Sequence, residues 1–214
     1  MKKITTILFC VFILAVAAAL FGMVMPSMSA EEFIELCRTG TPAQIKEAIE
    51  GRSNVNAKDK NGVTALMCAV RYNKDPEVSR ALIQRGADVN AKDNNGATAL
   101  MASFRDVNPE IPHMLIQGGA NVNAKHDNGG TPLLIAAAKD NAEVLNVLIR
   151  AGADINAKSG TSTAMFFATA AGGPDVVSLL LAAGAEVSET DVMLAQMNER
   201  LKDTPVVEEM KKRL

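Results

Sequence analysis

His113 and His126 are the side chains in this sequence best suited to moving a proton or holding a metal near neutral pH. They stand 13 residues apart, His113 after Pro112 in a helical stretch and His126 in a polar turn. No zinc-type spacing such as H-E-x-x-H appears, so they read as two unrelated side chains. Asp59, Asn61, Asp93, Asn94, Asn95, Asp127 and Asn128 raise the question of calcium. A calcium loop needs several carboxylates converging within about a dozen residues. Each cluster here supplies one or two, and ordinary turn chemistry accounts for them. No serine lies in a G-x-S-x-G elbow; "GTSTAM" around Ser162 reads as a turn. No glycine run carries the Lys-Ser or Lys-Thr of a phosphate loop. The expectation is therefore no catalytic set, no metal, no cofactor and no enzyme.

The same residues make sense as parts of a repeated element. "NVNAKDKNGVTALM" (54–67) returns as "DVNAKDNNGATALM" (88–101) and "NVNAKHDNGGTPLL" (121–134). Thr64, Thr98, Thr131 and Thr163 are spaced by 34, 33 and 32 residues. Val55, Val89, Val122, Ile155 and Val187 are spaced by 34, 33, 33 and 32. Such a fixed period marks a repeat architecture. Each Thr can cap a short helix: "ALMCAVRY", "ALMASFRD", "PLLIAAAK", "AMFFATAA". A second helix follows, with Pro76, Pro109 and Pro174 at its first position and apolar pairs at helical spacing. Gly86, Gly119, Gly152 and Gly184 end those second helices in the left-handed conformation. The rest of each period is a turn rich in Asn, Asp and Gly.

"GVTALMCAV", "GATALMASF", "GGTPLLIAA" and "TSTAMFFAT", each closed by a segment like "GADVN", resemble the ankyrin repeat over about residues 31–200. The resemblance implies an all-α fold, an ankyrin-repeat solenoid of stacked helix-turn-helix units with turn or hairpin-like tips. Residues 31–53 form an N-terminal capping unit, 54–87, 88–120, 121–153 and 154–185 four repeats, and 186–214 C-terminal capping helices. The family proline is Ala in three units, and the family histidine is Met67, Met101, Leu134 or Phe166. That exchange gives up an inter-repeat hydrogen bond and keeps packing. The fourth turn, "INAKSGTST", is one residue short, so an irregular tip is expected there. Cys37 and Cys68 fall two register places apart in neighbouring units. Equivalent positions on stacked helices lie about 10 Å apart, beyond the ~7 Å that a disulfide allows, so two buried thiols are expected.

Apolar residues make up 48% of the 214, yet aromatics only 4% and Trp none, so Ala, Leu, Val and Met must fill the core. Small side chains suit helix stacking better than a ring-lined ligand cavity. A net charge of -2 gives no basic stripe for nucleic acid. Residues 1–30 read as a bacterial-type signal peptide: Lys2 and Lys3, an apolar run from Ile7 to Met25, then small residues up to Ser29 and Ala30. At 19 residues that run also approaches a membrane span, so an N-terminal anchor is the alternative. Either way the repeats lie outside the cytoplasm, secreted or periplasmic, or held at the inner membrane if the segment is retained. Without it the charge is 20 minus 24, or -4.

In the ankyrin family, turn tips and the exposed ends of first helices generally carry partner binding. By register this assigns Lys60, Asn61, Val63, Asn94, Asn95, Ala97, Asp127 and Asn128 on the tips. Arg71, Tyr72, Arg105, Asp106 and Lys139 are assigned at the helix ends. Ala138, Ala170 and Ala171 make the later part of that face bland, with Phe166 and Phe167 expected in the core. The expected partner is an unidentified protein, bound by a monomer. The exported bacterial members suggest periplasmic protectors, envelope scaffolds or immunity-type inhibitors of a toxic enzyme.

Overall fold

The computed structural model describes residues 28–105 and 109–214. The expected export segment up to residue 27, and Asp106, lie outside the described residues. Among those described there are twelve α-helices and no strand, as the all-α reading requires. They gather into two compact units, residues 28–94 and 95–214.

The N-terminal unit holds α1 (Ala30–Thr39), α2 (Pro42–Glu50), α3 (Ala65–Tyr72) and α4 (Pro76–Gln84). First helix packs on first helix, α1 on α3, and second on second, α2 on α4. Phe33 and Cys37 of α1, Leu66 and Ala69 of α3, Ile45 of α2 and Leu82 of α4 are buried between them. The C-terminal unit holds α5 (Ala99–Ala102), α6 (Glu110–Gln117), α7 (Pro132–Ala138), α8 (Ala142–Arg150), α9 (Ala164–Ala171), α10 (Pro174–Ala182), α11 (Glu189–Met197) and α12 (Pro205–Lys211). Here α7, α9 and α11 form one row and α8, α10 and α12 the other. Leu133, Leu145, Leu148, Met165 and Leu180 fill the space between.

The first helix of each of the four repeats starts where its threonine turns an orphan amide into a bonded one; Ser29 and Ser188 do this for α1 and α11. The Thr64 hydroxyl accepts from the Met67 amide at 3.2 Å, Thr131 from Leu134 at 3.4 Å and Thr163 from Phe166 at 3.1 Å. Proline opens α4 and α10 at the first helical position. In α6 it does not: Pro109 is the cap residue, with no side-chain cap bond, and the helix begins at Glu110. A second proline, Pro112, then takes the third helical position, where its missing N–H would have had no helical acceptor anyway.

The two polar residues of each "NVN" or "DVN" have different tasks. The first folds the local turn: Asn54 accepts from the Asn56 amide at 3.0 Å, and Asn121 from Asn123 at 2.9 Å. The second reaches the next repeat. Asn56 donates to the Gly86 carbonyl at 3.2 Å and accepts from the Asp88 amide at 2.8 Å. Asn123 does the same to Gly152 (3.1 Å) and Asp154 (2.8 Å) in the C-terminal unit. One amide side chain, having both a donor and an acceptor, thus satisfies two backbone groups at a helix end.

The short fourth tip is not irregular. Ser159 and Ser162 exchange amide-to-carbonyl bonds of 3.0 and 3.1 Å across Gly160 and Thr161, with Gly160 at φ +61°. Losing one residue closes the tip into a two-residue hairpin turn, for which a glycine in the left-handed region is suited.

Candidate functional site

In the N-terminal unit the tips of consecutive repeats are tied together through their backbones. The Asn94 amide donates to the Asn61 carbonyl at 2.9 Å, and its side chain donates to the Lys60 carbonyl at 3.1 Å. Asp59 accepts from the Asn61 and Val63 amides, both at 2.8 Å, so its carboxylate shapes the turn. Lys60, Asn61 and Asn94 are exposed and Val63 is half-buried. In the C-terminal unit the Asp127 amide donates to the Asn95 carbonyl at 3.0 Å, and the Ser159 hydroxyl to the Asn128 carbonyl at 2.7 Å. Asn95, Asp127 and Asn128 are exposed and Ala97 is half-buried. His126 stands where Asp59 stands earlier, and its Nδ1 accepts from the Asn128 amide at 3.2 Å. His113 is exposed on α6. Among the described residues no group of three or more His, Cys, Asp or Glu side chains is placed to hold a metal.

The exposed ends of the first helices differ between the units. Arg71 and Tyr72 close α3, both exposed, with the Arg71 guanidinium 5.4 Å from the ring centre. The ring has a second cation that sequence reasoning missed. Arg38 of α1 sits 4.5 Å from the same centre, inside the range of a cation–π contact. Arg38 stands 33 positions before Arg71, the repeat period, which is the signal that could have found it. Lys139 is exposed at the end of α7. Arg105 ends a short 3-10 turn, Ser103–Arg105.

Phe166 and Phe167 are a correction. Neither is buried: both are half-exposed on α9, ring centres 5.7 Å apart and edge to face. Phe167 is matched in register, four residues after the cap, by Ile135 on α7, and α11 exposes Met193 at 53%. Ala138, Ala170 and Ala171 are exposed as the small side chains expected there, and Met197 on α11 is 71% exposed. The rings stay out of the core because Ala164, Met165 and Ala168 already occupy the buried side of α9.

Cys37 and Cys68 are free and buried. Burial pushes both thiols up, and the neighbouring Cys68 raises Cys37 further. For Cys68 the Arg38 guanidinium partly offsets the effect of burial. A thiol that stays protonated in the folded chain but ionises from about pH 8.5 when unfolded makes folding less favourable as pH rises. The slope reaches about 1.4 kcal/mol per pH unit per thiol above that point and vanishes below it. Urea unfolding of the reduced protein at pH 8 and pH 10 should therefore show a larger loss for the parent chain than for Cys37→Ala. Equal losses would mean that Cys37 ionises in the folded state.

A family model described as ankyrin repeats (3 copies) matches residues 33–126 and again 102–191. Comparison with curated proteins found no match. The two matched stretches run from within α1 to within α11 and take in the capping threonines, the helix pairs and the tips between them. On this agreement of period, helix pairing and matched span, the chain belongs to the ankyrin-repeat family.

Proposed function

We propose that this chain is an exported, non-catalytic module that holds another protein with its repeat tips and the exposed ends of its first helices. Ankyrin repeats generally mediate protein–protein interaction, and the family is typically non-catalytic. The observation that carries the reading is the hydrogen-bonding of the tips. Their backbones are held by the neighbouring tip within each unit, with the Asn94 and Asn128 side chains part of that frame, so the side chains of Lys60, Asn61 and Asp127 are displayed from fixed positions. A surface ordered in advance gives up less entropy on binding. The helix ends add Arg71, Tyr72 and Lys139, with Arg105 and Asp106 assigned by register; Tyr and Arg are the side chains enriched at binding hot spots.

Export rests on Lys2, Lys3 and the apolar run that follows them. No described helix is long and apolar enough to cross a membrane. Ser29 caps α1, accepting from the Glu32 amide at 3.3 Å while Glu32 accepts from the Ser29 amide at 2.9 Å. Cleavage after Ser29 or Ala30 removes this cap; a retained anchor keeps it. The intact mass of the exported chain separates a released binding module from an envelope scaffold. Affinity capture from the exporting cell's envelope fraction, with the parent chain and an Arg71→Ala, Tyr72→Ala, Arg105→Ala variant, tests the binding face. The expected result is one protein captured by the parent and lost by the variant at an unchanged melting temperature. A partner retained by the folded variant overturns the assigned face.

A further inference from the structure

We infer that Arg38, Arg71 and Tyr72 form a receptor for a carboxylate, and that the partner presents an acidic segment to the first-helix face of the N-terminal unit. The inference rests on the protein-binding reading above and names the chemistry of the partner at one place. The two guanidinium carbons lie 4.5 and 5.4 Å from the centre of the Tyr72 ring. One carboxylate accompanies them: Glu35 Oε2 is 3.3 Å from Arg38 Nε. That Nε is shielded from solvent and the guanidinium also borders Cys68, so a partner carboxylate meets the exposed outer part of the Arg38 side chain, which is 41% exposed. Arg71 is exposed and has no ion-pair partner among the described residues. By contrast, Arg80, Arg85, Arg200 and Arg213 each lie against a carboxylate. The site therefore carries an excess positive charge on a chain whose net charge is -2.

Contact with the ring is what makes this charge selective. A guanidinium held against an aromatic ring keeps N–H donors free to bond elsewhere, and two such donors match the two oxygens of a carboxylate. An arginine that already rests on a ring loses less side-chain entropy on pairing than a free surface arginine does. The cations come from two helices that pack on each other, α1 and α3, and both border the same ring.

The chain contains one tyrosine and no tryptophan, so its ultraviolet fluorescence reports on Tyr72 alone. The probe is a Glu/Gly peptide without aromatic residues, with the matching Gln/Gly peptide beside it. In low salt the acidic peptide should change the Tyr72 emission saturably, and the Gln peptide should not. Arg71→Gln or Arg38→Gln should weaken binding about tenfold, as should about 0.5 M salt. Arg150→Gln, an exposed arginine on α8, should leave it unchanged. The inference is overturned if no saturable change occurs, if both peptides bind alike, or if Arg150→Gln weakens binding as much as Arg71→Gln. A silent peptide titration with partner capture still lost in the Arg71, Tyr72, Arg105 variant removes the acidic chemistry and leaves the protein-binding reading standing. Loss of neither overturns both.

Discussion

Phe33→Ala should lower the unfolding free energy by about 3–5 kcal/mol, among the largest losses a single truncation can give. Phe33 is fully buried, at 0% exposure, in α1, the helix least like the other first helices in sequence. Cys37, Cys68 and Ala69, buried in the same unit, are too small to fill the space of a lost ring. The cost therefore includes both the lost transfer energy and the cavity left behind. Urea unfolding should show a lower midpoint with an unchanged slope, because the surface exposed on unfolding is nearly the same. A loss below about 1 kcal/mol would mean that α1 does not pack on α3 in solution.

Gly62→Ala should cost about 2–4 kcal/mol, for two separable reasons. Gly62 has φ +78°, a left-handed conformation that disfavours any Cβ. A Cβ built there also falls 2.6 Å from Asn94 Oδ1, 3.0 Å from the Asn94 amide nitrogen and 3.1 Å from Asp93 Cα. Two of those atoms belong to backbone, which the Asn94-to-Asn61 and Asn94-to-Lys60 bonds hold in place. Gly86 isolates the conformational part: its φ is +84°, and no atom lies within 4 Å of its Cβ position. Gly86→Ala should therefore cost only about 1–2 kcal/mol. If the two variants melt together, the tips do not press on each other as described.

Much of this molecule is legible in its sequence. The spacing of Thr64, Thr98, Thr131 and Thr163 predicted where first helices begin, because a hydroxyl cap is a local device that acts over three residues. The glycines at 86, 119, 152 and 184 were legible for the same reason: a left-handed helix end is a property of one residue. Pro109 misled because two prolines three residues apart both satisfy the rule for a helix start, and local chemistry does not choose between them. Phe166 and Phe167 misled for a different reason. "AMFFATAA" is apolar on every side, so its periodicity carries no information about which face is inward.

What the sequence determined by itself is whatever depends on neighbours along the chain: the period, the caps, the turns and hence the family. Tertiary structure decided whatever depends on a neighbour a full repeat away. Asn56 and Asn123 prove to be clamps between repeats as well as turn residues, because their side-chain oxygens accept from the Asp88 and Asp154 amides that open the next repeat. Arg38 becomes part of the candidate site because stacking α1 on α3 carries it over the Tyr72 ring. A side chain's contacts across a repeat boundary follow from the rotation and spacing of packed helices, and sequence spacing records the register but not that geometry.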